Sequence, residues 1–256
     1  MTSKDPDIDF PERTGRARRM KKRYDGAPDA LPAARMAPDQ TRIAFEDVSD
    51  EVWGLPEIEA FTIQSVELVL RRRGIDTGAM KRPNMEIAAP AIEAMRYSPL
   101  RDEIATLIAS SMDAATENDA HPAFLAILKQ VTRDEVRILS NLPPPEQFIP
   151  AANVYVTTSK NQARIVQRNV VPRELADVCD SPQRVPGYVD NLIRLQLLHE
   201  PEGAPVPDAA IYSALLKQEA CQSVLRDRNL RRRSRIERRI LAITDFGDTF
   251  RRVCLN

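Results

Sequence analysis

The stretch from Ile87 to Leu142 constrains this chain most, because it sets apolar residues at helical spacing three times, with a stop and a restart between each set. Ser98-Pro99 predicts a helix opening, the serine oxygen accepting an orphan amide and proline standing at a first position that needs no N–H. From there Leu100, Ile104, Leu107, Ile108 and Met112 form one apolar stripe, and Ala105 and Ala109 beside it leave room for a close neighbour. His121-Pro122 restarts the pattern with Phe124, Leu125, Ile127, Leu128 and Val131. Thr132-Arg133-Asp134-Glu135 then has the T-x-x-E form of a capping box and opens a third helix, stopped by Pro143-Pro144-Pro145. None of these short helices buries its stripe alone, so they are expected to pack on one another and on Ile87 to Met95.

The flanking segments are less regular. Residues 1–44 are rich in Pro, Asp and basic residues without apolar periodicity, the composition of a disordered arm. Its basic residues, Arg13 to Arg23, would give salt-sensitive affinity for nucleic acid or anionic lipid, or would simply solubilise the chain. Glu57 to Arg73 reads as one helix ending in three arginines and Gly74, a solvated terminus, with Trp53 ahead of it as an anchor on the central helices.

Beyond the prolines the character changes. Asn153 to Thr158 and Arg235 to Ile243 have strand character, Ala163 to Val166 is ambiguous, and Ser181-Pro182 opens a helix running to Leu198. Asp208 to Arg228 is expected to be helical, and Thr244-Asp245 caps a last helix. The order suggests a winged-helix-like unit over 143–256, following a helical core over 45–142. In such a unit Gln183, Arg184, Asn191 and Arg194 would read a groove, and Arg231, Arg232, Arg233 and Arg235 would hold phosphates. The inserted helix near Ala210 to Leu225 departs from a short wing, and such units also serve as protein-binding modules.

Charge supports that division. Lys plus Arg equals Asp plus Glu at 37 each, so the total names no partner, but arginine crowds Arg226 to Arg239 as it does the arm. Few glycines and aromatics at only 5% suit a mainly α, α+β protein. Cys179, Cys221 and Cys254 are far apart, and the N-terminus lacks an apolar leader, so reduced thiols in a cytoplasmic protein are expected. With two histidines and no paired cysteines, no metal site is expected, and the apolar runs fall short of the ~20 residues a membrane span needs.

Catalytic residues do not stand out. Asp102/Glu103 and Asp134/Glu135 are adjacent, so on a helix they diverge by about 100° and read as helix-start charges. His121 is placed to accept a backbone amide at a helix start. Ser110 and Ser111 lack a nucleophile elbow, Asp245-Phe246-Gly247 lacks the rest of a kinase, and no phosphate-binding G-x-x-x-x-G-K-[ST] occurs. No enzyme activity and no cofactor are expected.

One resemblance covers most of this. Pro90-Ala91-Ile92-Glu93-Ala94-Met95-Arg96-Tyr97 is followed by Leu100-Arg101 and by Leu107-Ile108-Ala109-Ser110-Ser111-Met112-Asp113. His121-Pro122-Ala123-Phe124, Lys129-Gln130 and Leu241 to Phe250 complete the set, and in this order it resembles the Abi-alpha family, bacterial proteins of unassigned biochemistry named for abortive infection. The resemblance runs from Ile87 to the C-terminus. It implies a cytoplasmic bacterial protein linked to phage defence and transfers no catalytic residue. The expectation is a non-enzymatic interaction or sensor protein contacting a protein or nucleic-acid partner, or a second copy of itself. The alternative is a sequence-independent DNA or RNA binder using the arginine-rich stretches, and a toxin enzyme ranks behind both.

Overall fold

The computed structural model describes residues 39–75, 80–157, 162–203 and 210–256. The expected disordered arm therefore lies outside the described residues up to position 38, and the end of its span forms the short helix α1, Asp39–Ala44. Then follow α2, Asp50–Trp53; α3, Pro56–Arg72; α4, Met85–Met95; α5, Arg101–Met112; α6, Ala123–Leu128; and α7, Arg133–Asn141. Helix α5 starts two residues later than Ser98-Pro99 suggested, and the Ser98 hydroxyl accepts the Leu100 amide just ahead of it. The Thr132–Glu135 capping box on α7 is complete in both directions.

Helix α5 is the pillar of this half. Every residue from Glu103 to Met112 is buried, so neighbours surround it on all sides, as the pairing of its apolar stripe with Ala105 and Ala109 permits. Helices α3, α4 and α6 pack around it. Trp53 is buried against Phe45, with ring centroids 5.7 Å apart, and α2 rests on α4. The arginine triplet departs from a solvated terminus. Arg72 is exposed and Arg71 pairs with Glu67, but Arg73 turns inward to donate to Ser110 Oγ at 3.0 Å and to the Asn256 carbonyl at 2.8 Å.

The second half is a sheet clasped by helices. Its elements are β1, Ile149–Thr157; β2, Ala163–Val170; α8, Arg173–Asp177; a 3-10 turn, Pro182–Arg184; and α9, Val185–Arg194. After these come β3, Leu198–His199; α10, Ser213–Leu216; α11, Glu219–Arg226; α12, Arg228–Arg231; β4, Ser234–Ile243; and α13, Asp245–Cys254. The four strands are antiparallel in the order β2-β1-β4-β3. Two expected helices are shorter. The one after Ser181 ends at Arg194 because Gln196 takes a positive φ of 58° and releases Leu198 into β3. The span 208–228 breaks into α10, α11 and α12, with Asp227 capping the last through its side chain. The fold is mixed α+β, and among the described residues no helix is long and apolar enough to cross a membrane.

Two contacts sew the halves together. Phe124 of α6 meets Phe246 and Phe250 of α13 at 5.2 and 5.5 Å between centroids, and the Ser110 hydroxyl donates to the Val253 carbonyl at 2.7 Å. On the other side the Asp134 carboxylate, buried at the start of α7, accepts the Asp180 and Ser181 amides at 2.8 and 3.0 Å, the Tyr188 hydroxyl at 3.1 Å and the Arg137 guanidinium at 2.9 Å. Its neighbour Glu135 points elsewhere, to the cap and to Asn191 of α9 at 2.6 Å. The adjacent carboxylates diverge, as helix geometry requires. All three cysteines are free and buried.

Two stability predictions follow from this packing. The chain at Gln196-Leu197 crosses the start of α13 so closely that a Cβ on Gly247 would sit 2.2 Å from the Leu197 carbonyl oxygen. Gly247→Ala, worth about 1 kcal/mol of stabilisation in an open helix, is expected to cost about 1–3 kcal/mol here, read from urea unfolding. Burial pushes the Asp134 carboxyl up, but the two amides, Tyr188 and Arg137 outweigh it and hold the group below its ordinary value. A depressed carboxyl contributes stability above its unfolded pKa of about 3.9 and loses it as pH falls through the lower folded value. Asp134→Asn is therefore expected to be roughly 2–3 kcal/mol less stable at pH 7, the gap to the parent narrowing below about pH 4.

Candidate functional site

The sheet has unlike faces. On one, Ala152, Val154, Val156 and Val170 pack under Tyr212, Leu215, Cys221 and Val224 from the α10–α11 region, and the exposed Arg238 lies over the Tyr212 ring, 5.8 Å from its centroid. The other face carries the alternate residues. Asn153 of β1 stands in register with Glu237 of β4, and Tyr155 with Arg235. Polar side chains at every second position of two paired strands therefore form a polar floor.

Strand β2 adds the wall. Between its partners Ala152/Val154 and again between Val154/Tyr155 the register shifts, β2 supplying an extra residue each time. Such bulges twist a strand and re-aim its side chains. Asn169 lies at the first shift with φ of 47°, a left-handed conformation that asparagine tolerates better than most residues. Its side chain donates to Asp190 Oδ1 at 2.7 Å and to the Pro186 carbonyl at 3.1 Å, tying β2 to α9.

The result is a cleft of about 330 Å³ lined by Asn153, Tyr155, Ile165, Arg168, Asn169, Asp190, Glu237 and Arg239. Its polar groups hold one another in place. Asn153 Oδ1 accepts the Asn169 amide at 3.0 Å, while Asn153 Nδ2 and the Tyr155 hydroxyl both donate to Glu237 Oε2 at 2.9 Å. Arg239 bridges Asn169 Oδ1 at 2.8 Å and Glu200 at 2.8 Å, and Arg168 pairs with Asp190. Glu237 is held below the ordinary carboxylate range, first by the Asn153 amide and then by Tyr155, Arg239 and Arg235, against a burial penalty. A carboxylate so stabilised stays ionised and is a weak proton acceptor. Among the described residues no group of three or more His, Cys, Asp or Glu side chains gathers as metal ligands do.

The arginines singled out from the sequence fall in two places. Arg231, Arg232, Arg233 and Arg235 are exposed where α12 runs into β4, and Arg235 lies over the Tyr155 ring, 5.3 Å from its centroid, at the mouth of the cleft. Arg184 and Arg194 sit at the two ends of α9. Arg184 is exposed in the 3-10 turn, whereas Arg194 donates to Asn191 Oδ1 at 2.7 Å and to Gln130 Oε1 at 3.1 Å, turned toward the α6–α7 connection. Arg194 is not among the residues that line the cleft. His121 Nδ1 accepts the Ala123 amide at 3.0 Å, the helix-start role its sequence position suggested.

A family model described as abortive infection alpha matches residues 59–254, from the third helix to the end of the last. The chain belongs to the abortive infection alpha family. The matched span takes in α5, the Asp134 clasp and the whole sheet with its cleft, so the polar face lies within the part of the chain that makes it a member of this family. No curated protein and no solved structure matches the chain.

Sequence inspection missed the cleft's floor, although a signal was there. Asn153-x-Tyr155 and Arg235-x-Glu237-x-Arg239 place polar residues at period two inside recognisable strands, which marks one wet face. Asn169 had no such signal, since it owes its aim to a bulge. That aim is testable by comparing two substitutions. Both Asn169→Gly and Asn169→Ala lose the hydrogen bonds, but only alanine suffers in the left-handed conformation, so the alanine variant is expected to be less stable by about 1 kcal/mol in urea unfolding.

Proposed function

We propose that this member of the abortive infection alpha family is a non-enzymatic interaction protein of phage defence, and that it contacts its partner through the open face of the sheet. The observation that carries the reading is the cleft: a polar surface built from β1, β2 and β4, locked by its own hydrogen bonds and flanked by exposed arginines. A surface whose groups are fixed before the partner arrives loses little freedom on binding, which favours recognition. The lowered pKa of Glu237 supports the same reading, because a general base works best with a pKa near the operating pH.

The second reading, a regulator that binds DNA or RNA without sequence preference, is favoured by the exposure of Arg231, Arg232, Arg233 and Arg235 along one short stretch. Both readings place the activity at the same face. The family's name supports abortive infection as the setting.

The test is phage challenge of bacteria expressing the chain. Tyr155→Ala and Arg235→Ala are expected to lower protection at least tenfold with soluble protein levels unchanged, while Arg194→Ala, away from the face, keeps it. Equal protection by all three variants would refute the reading. So would purified chain that degrades nucleic acid or modifies nucleotides with Mg²⁺ present, since either marks a toxin enzyme.

A further inference from the structure

We infer that the open face of the sheet takes a single strand of nucleic acid, with phosphates on the arginine rim and one base carrying an exocyclic amine in the cleft; this rests on the functional reading above.

Charge is segregated on this face in the way such a ligand requires. Between Arg231 and Arg235 the chain has four arginines and no acid. Arg231, Arg232 and Arg233 are exposed and, among the described residues, make no side-chain hydrogen bond or ion pair. The Thr157 amide donates to the Arg233 carbonyl at 2.9 Å, so this rim borders β1. A few residues inward the charges balance, for Glu237 and Asp190 line the cleft together with Arg168 and Arg239, and Glu200 pairs with Arg239.

An acidic peptide would satisfy the rim but brings no planar amine to the Glu237 carboxylate in the cleft. A nucleotide keeps its anion outside and presents a neutral, planar, amine-bearing base inside. Glu237 has the free acceptor for that amine. Asn153 and Tyr155 both donate to Oε2, while Oε1 faces only Arg235, at 3.8 Å. A carboxylate accepts from an amino group of a base and has nothing to offer a carbonyl. The exposed Arg235 guanidinium, lying over the Tyr155 ring at 5.3 Å, supplies a plane on which a splayed base stacks. In a duplex the base faces are stacked on one another and closed to a side chain, so the ligand is single-stranded.

The test is fluorescence anisotropy of the full chain with 5′-fluorescein-labelled 15-nucleotide probes at low salt. Oligo-dC is expected to bind at least fivefold tighter than oligo-dT, which lacks the amine, and tighter than a mixed-sequence duplex. Replacing Arg231, Arg232 and Arg233 together by alanine is expected to weaken all single strands at least tenfold and to flatten the salt dependence by about two powers. Glu237→Gln is expected to erase the dC over dT preference and leave the salt dependence alone; should that variant unfold, Tyr155→Leu serves, weakening both strands without changing the salt slope. No single-strand binding, binding indifferent to the rim arginines, preference for duplex, or equal affinity for a fluorescein-labelled poly-glutamate peptide overturns the inference. If phage protection still falls in the face variants while no strand binds, only this inference fails; if strand binding is lost and protection stays, the functional reading fails.

Discussion

One buried carboxylate holds the two halves of this protein in a fixed relation. Asp134 sits at the start of α7, where the helix dipole already favours its charge, and fills its oxygens with two amides, a phenol and a guanidinium drawn from α7 and from the 180–188 segment. A buried ion pair alone would be weak evidence for stability, because desolvation offsets the attraction. Here the carboxylate is satisfied in nearly every direction, and each donor it accepts comes from a place that must not move if α9 is to lie against the sheet. Glu135 reinforces the junction through Asn191. The cleft inherits its rigidity from this clasp, since Asp190 reaches Asn169 from the same helix that Asp134 and Glu135 pin down.

The sheet converts that rigidity into a surface with two characters. Helices α10 and α11 cover one face with apolar side chains, so the opposite face is released from packing and free to carry polar groups. Strand alternation then does the sorting: the β1 residues packed under Tyr212 are small or β-branched, and those one position along, Asn153 and Tyr155, share the open face with Glu237. The extra residues in β2 twist it and deny a flat template to other strands, and its exposed Arg164 and Arg168 add charge there. The same distortion turns Asn169 toward the cleft, so edge protection and site building share one device.

The helical half was largely legible because its signals are local. Capping at Thr132, the His121 amide bond and the stripe through Ile104 and Ile108 each depend on neighbours within a turn or two, and each took the form expected. What failed was set by distant chain. Arg73 belongs to a triplet that reads as solvated, yet Ser110 and Asn256 draw it inward, and neither is near it in sequence. The helix after Ser181 ended early because Leu198 found a partner in Ile243. In the cleft, alternation in β1 and β4 could be read, but which face would stay open depended on where the 210–231 helices settled, and no residue in the strands encodes that.

The three buried thiols give this molecule a built-in set of reporters. Cys221 lies under the sheet, Cys179 beside the Asp134 clasp and Cys254 in the last helix against the pillar, and burial raises the pKa of each, that of Cys179 to about 12. Alkylation needs a thiolate in contact with solvent, so each sulfur reacts only when its own neighbourhood opens. The modification rates at the three positions would resolve, without any engineered label, whether the back layer, the junction and the helical pillar come apart together or in sequence.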